Sequence, residues 1–135
     1  MGFDQYHEPP NELPEQTRTF ARLCASLTEE AEAIGWYEQR LAIESDPEAK
    51  AVMADAVGEE YKHFSMDLEF LLRRTPKWRE IARGVLFAPG DIVEHGEAAE
   101  AAADDDDGGP NADAPPAPAA SSGSLGIGSL RGEGL

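Results

Sequence analysis

Two apolar stripes at helical spacing, one on either side of Ser45-Asp46-Pro47, confine this chain to a helical hairpin. At about 100° per residue, Phe20, Leu23, Leu27, Ile34 and Leu41 fall in one arc roughly 60° wide. Met53, Val57, Phe64, Leu68 and Leu71 make a similar stripe after the turn. Each stripe carries a carboxylate. Glu30 lies within about 20° of Leu23 and about 40° of Ile34, and Glu60 within about 20° of Met53 and about 40° of Phe64. His63 follows Glu60 by one turn, displaced toward the flank of the stripe, and residues at i,i+3 are surface neighbours. At about 1.5 Å rise per residue, Glu30 and Glu60 both sit roughly 22 Å from the hairpin tip. They are expected to face each other across the antiparallel pair. An ionised carboxylate in a dry seam is very costly unless something pairs with it. Two at matching heights point to a shared cation.

Local signals set the boundaries. Helix 1 is expected from about Pro14 to Glu44, with Gly35 inside it at a cost of roughly 1 kcal/mol relative to alanine. A close packing contact would account for that glycine. Asp46 as N-cap and Pro47 at the first helical position start helix 2, which runs to about Arg74. Thr75-Pro76 repeats the start signal. Helix 3 follows to about Phe87, with Trp78, Ile81, Ala82, Val85 and Leu86 at helical spacing, and Pro89-Gly90 stops it. No strand pattern competes. The fold class is therefore all-α: an antiparallel two-helix hairpin plus a short third helix.

Residues 1–13 read as a mobile arm and 14–90 as the helical unit. Residues 91–123 read as an acidic linker rich in Ala, Pro and Gly, too apolar-poor to offset its ordering entropy. Residues 124–135 bring back Leu125, Ile127 and Leu130 between glycines, the composition of a docking peptide. The helical unit is too small to hold a comfortable core alone, so association of copies is expected.

The net charge of −16 leaves no basic stripe for nucleic acid and suits the gathering of metal cations. The single cysteine, Cys24, excludes an intramolecular disulfide and a Cys cluster, and its place near the apolar arc reads as a buried, inert thiol. No segment approaches twenty apolar residues, and the first residues lack a secretion pattern, so a cytoplasmic protein without a membrane span is expected.

Glu30 plus Glu60-x-x-His63 supplies three ligands per hairpin. Two hairpins packed as a four-helix bundle supply the glutamate and histidine set of ferritin-like di-iron or di-manganese sites. Oxygen-rich donors with one imidazole per metal suit iron or manganese better than copper. Glu29 and Glu32 lie off the stripe, read either as an acidic funnel for arriving cations or as a solvated face. Trp36 also lies off the stripe and suggests a second packing surface. Tyr37 lies near the arc, where packing or a contact beside the site would both fit. Asp67, two turns past Glu60, borders the stripe and ranks below the three main ligands. His7 and His95 have no ligand pattern around them.

With these residues in view, the chain resembles the encapsulated ferritins, ferritin-like cargo of encapsulin nanocompartments. Glu29-Glu30-Ala31-Glu32-Ala33-Ile34-Gly35-Trp36-Tyr37-Glu38-Gln39-Arg40 resembles the family's first-helix signature. Glu59-Glu60-Tyr61-Lys62-His63 resembles its Glu-x-x-His segment, Trp78 to Phe87 its third helix, and residues 124–132 a cargo-loading peptide. The resemblance implies half-ferritin hairpins that dimerise into a ferroxidase centre and assemble into an open decameric ring. It implies oxidation of Fe(II), two irons per dimer, with the mineral stored by an encapsulin shell. By position it makes Glu30, Glu60 and His63 the ferroxidase ligands and Glu29 and Glu32 an iron-ingress site. Trp36 and Tyr37 then stand beside these sites, and Leu125, Ile127 and Leu130 dock to the shell. The rival reading is a non-catalytic helical cargo or adaptor that binds metal structurally.

Overall fold

The computed structural model describes residues 5–106, and every regular element among them is helical. α1 spans Glu15–Ile43, α2 Pro47–Arg74, α3 Pro76–Val85 and α4 Ile92–Asp105. α1 and α2 pack along their length as the antiparallel hairpin, and α3 packs chiefly on α4. The turn between α1 and α2 is set by Asp46, whose side chain accepts from the backbone N–H groups of Glu48 and Ala49 at 2.9 Å each. Two of the donors that a helix N-terminus leaves unpaired are thereby satisfied. Arg73 and Arg74 close α2 with positive charge at its negative dipole end.

The core is thin. Among the described residues only Val57, Leu71 and Leu72 are buried. The other eight stripe residues, from Phe20 to Leu68, are half-buried. Each stripe is therefore only partly covered by the facing helix. Gly35 has open space where a Cβ would stand, so no described residue makes the close contact that would account for it. Cys24 is half-buried rather than buried, and desolvation raises its thiol pKa, which keeps it a poor nucleophile.

Two expectations change. Helix 3 ends at Val85, not Phe87: Leu86 is extended and Phe87 sits at φ 63. The segment read as the start of an acidic linker is helical as far as Asp105. Asp91 caps this helix, its side chain accepting from the N–H groups of Val93 and Glu94. Alanine and glutamate run through it, and both favour helix strongly. Low hydrophobicity was the wrong guide, because small residues are what close packing against α3 requires. A Cβ on Gly84 would lie 2.5 Å from the Cβ of Ala99, so glycine there admits α4. An ion pair between Lys77 and Asp104 ties the other end of the helix pair. The linker beyond Asp106 and the apolar residues 124–135 lie outside the described residues, as does the start of the N-terminal arm.

Candidate metal centre

Halfway along the hairpin, the two carboxylates read from the stripes come together. One donor atom each from Glu30 of α1 and from Glu60 and His63 of α2 lie within 4.8 Å of one another. His63 Nδ1 stands 4.0 Å from Glu30 Oε1 and 3.8 Å from Glu60 Oε2. The Glu30 and Glu60 side chains are 22% and 23% exposed, whereas His63 is 46% exposed. The donor group is thus partly open to solvent. Among the described residues this is the one group of three or more His, Cys, Asp or Glu side chains with metal-binding geometry.

The electrostatics are those of an uncompensated pair. Glu30 is raised to about 7, first because it shares a hydrogen bond with Glu60, then through burial and the Glu60 charge. His63 opposes the shift, and the charge of Asp67 adds to it. A folded value above 4.5 means the metal-free fold gains most from this group below pH about 4.5. That contribution is lost as pH rises through about 7. A cation competes with this proton for the same oxygens. Affinity for a redox-inert probe such as Zn(II) should therefore climb about tenfold per pH unit from pH ~5.5 and level off above ~7, for each proton displaced. Calorimetric titrations at pH ~5.5, ~6.5 and ~7.5 would check the slope. A flat profile across that range contradicts Glu30 as a ligand.

The neighbouring candidates stand outside this group. Glu29 and Glu32 are exposed on α1 and do not join the three-residue group. Trp36 is 54% exposed, in keeping with its place off the stripe. Tyr37 is half-buried with the Arg40 guanidinium 5.3 Å from its ring centroid. His7 is exposed, and His95 Nε2 bonds the Pro89 carbonyl at 2.8 Å, so neither contributes. Sequence reasoning missed the hydrogen bond that Tyr61 donates across the hairpin to Glu38 at 2.9 Å. No periodicity signal marks it, because both side chains lie off the apolar stripes.

Residues 5–89, more than half of the chain, match the family described as EncFtn-like. The chain belongs to the EncFtn-like family. An "Encapsulated ferritin-like protein" of Rhodospirillum rubrum is 44% identical over 128 residues, covering 94% of this chain and 88% of the relative. A "Ferritin-like protein" of Thermotoga maritima is 42% identical over 91 residues, covering 67% of this chain and 80% of the relative. A crystal structure of a protein from Nitrosomonas europaea superimposes with a TM-score of 0.64 at 38% identity, over 66% of this chain and 98% of that one. All of Glu29, Glu30, Glu32, Trp36, Tyr37, Glu60 and His63 lie inside the segment that the EncFtn-like family covers.

Proposed function

We propose that this EncFtn-like chain is a ferroxidase cargo protein. It takes Fe(II) as substrate at a di-iron site between two hairpins and delivers Fe(III) to the interior of an encapsulin nanocompartment for storage. The carrying observation is the convergence of Glu30, Glu60 and His63 in a group that is partly open to solvent. Similarity to relatives named encapsulated ferritin-like and ferritin-like supports iron and a shell.

One hairpin offers three donors, too few to enclose a pair of metal ions. A second hairpin packed over them doubles the set, to four carboxylates and two imidazoles, which is the ligand set of ferritin-like di-iron proteins. The same packing covers the half-buried stripes. Two divalent ions neutralise the four carboxylates, so association and metal uptake drive each other. In this arrangement Glu60 of each chain would be shared between the ions, and Glu30 and His63 would hold them from either side. Two iron ions close together provide a two-electron reductant for oxygen; the chain contributes spacing, charge and open coordination positions. Glu29 and Glu32, exposed on the same helix, gather incoming cations, with Trp36 and Tyr37 beside them. Pairs of hairpins then join into a decameric ring, and Leu125, Ile127 and Leu130 attach the ring to the shell wall.

Fe(II) oxidation followed by oxygen uptake and by the rise of ferric absorbance tests this reading. Turnover well above the buffer rate is expected. Tight binding of Fe(II) with no acceleration would instead leave a structural metal-binding cargo.

A further inference from the structure

Asp67 borders the apolar stripe of α2, and the chemistry proposed above leaves it without a task. Its side chain is half-buried, and among the described residues it makes no hydrogen bond or ion pair. A partly desolvated carboxylate without a partner costs free energy. At about 100° per residue, Glu60, His63 and Asp67 fall within about 60° of one another around α2, with Asp67 between the other two in azimuth. Its negative charge is felt at the donor group, because it is one of the causes that raise Glu30.

His63 has two ring nitrogens, and the metal centre uses one. Nδ1 is the nitrogen that stands 4.0 Å from Glu30 and 3.8 Å from Glu60. A neutral imidazole that offers Nδ1 to a cation carries its proton on Nε2. Metal-binding histidines almost always donate that second N–H to a carboxylate, a carbonyl or water, which fixes the tautomer and the ring plane. Glu30 and Glu60 face Nδ1 and are themselves donors to the metal. Glu59, one turn before His63, is held by Lys62 in an ion pair. Asp67, one turn after His63, has no such partner among the described residues. Helical side chains lean toward the N-terminus of their helix, so Asp67 reaches back over the turn that carries His63. Residues at i,i+4 are surface neighbours, and rotation about side-chain bonds is enough to bring an imidazole and a carboxylate together.

We infer that Asp67 is a positioning residue for the metal centre: it accepts the Nε2–H of His63 and so holds Nδ1 toward the cation shared with Glu30 and Glu60. The inference rests on the metal centre proposed above but not on its turnover. In this role Asp67 touches neither iron nor oxygen.

The full chain loaded with Co(II) gives a spectroscopic reading. A histidine bound through Nδ1 shows a strongly shifted, exchangeable Nε2–H proton resonance, and His63→Ala assigns it by removing it. Wild type should show this proton in slow exchange with solvent. Asp67→Ala should lose it to fast exchange and should bind Zn(II) about tenfold more weakly or worse by calorimetry. Asp67→Asn keeps an acceptor oxygen in the same place, so it should retain the resonance and bind Zn(II) within about threefold of wild type. Alanine favours helix more than aspartate does, so metal-free Asp67→Ala should melt no lower than wild type. A lower melting temperature there would make the role structural and overturn the inference. Wild-type affinity and exchange in Asp67→Ala would overturn it too. So would Asp67→Asn as weak as Asp67→Ala, because the charge of the carboxylate alone would then explain the loss. A wild type that binds Zn(II) through His63 but does not accelerate Fe(II) oxidation would sink the ferroxidase reading and leave the role of Asp67 standing.

Discussion

Glu60→Ala and His63→Ala are each expected to slow Fe(II) oxidation at saturating iron by about tenfold or more, while Glu32→Ala stays near the wild-type rate. Substitutions that merely support metal ligands already cost roughly 10–100-fold, so loss of a ligand itself should reach that range at least. Glu60 and His63 place donor atoms within the metal-binding group, whereas Glu32 is exposed outside it. At low iron the order can narrow, because a residue that gathers cations matters most when cations are scarce. Misfolding is distinguishable from ligand loss. Removing Glu60 deletes the main cause of the raised Glu30 value, so the metal-free variant should melt no lower than wild type near neutral pH. Equal, near-wild-type rates for all three variants would end the ferroxidase assignment.

Deleting residues 124–135 is expected to abolish loading into the shell and to leave metal binding and assembly intact. Leu125, Ile127 and Leu130 are the only large aliphatics after Val93 apart from the terminal Leu135. Glycines flank them, which lets a receiving groove approach the backbone closely. The metal donors all lie between Glu30 and His63, far from this segment in the chain. Co-expression with the cognate shell, followed by particle purification, reads the result. A truncated protein that co-purifies inside shells at the wild-type ratio would remove the docking role.

The hairpin was legible because its signals are redundant. Asp46-Pro47 and Thr75-Pro76 mark helix starts by local chemistry, and the helices begin where those pairs stand. The juxtaposition of Glu30 and Glu60 followed from two simple regularities, the helical period and the equal distance from one turn. α4 was not legible by the same method. Its half-buried positions are His95, Gly96, Ala99 and Ala103, so the contrast between large apolar and polar positions that marks α1 and α2 is missing. The better signal was Asp91 as a cap ahead of an Ala/Glu run, a matter of propensity rather than pattern. The strain at Phe87 had no signature at all. It belongs to the turn, with Pro89-Gly90 and the His95 bond to the Pro89 carbonyl, over which α4 returns onto α3, and propensity does not encode such a tertiary return. Gly35 shows a different limit. Among the described residues nothing stands within 4 Å of a Cβ built there, so the fold of these residues gives no reason for a mid-helix glycine.

In the proposed ferroxidase, metal ions join two hairpins through Glu30, Glu60 and His63. Native mass spectrometry of the full chain tests it most directly, with Fe(II) added anaerobically and with metal removed by rigorous chelation. Dimer-based species carrying two irons per pair of chains are expected, with monomer after chelation and neither iron nor metal-dependent pairing in Glu60→Ala. One iron on an isolated chain, or identical mass distributions with and without metal, would contradict it.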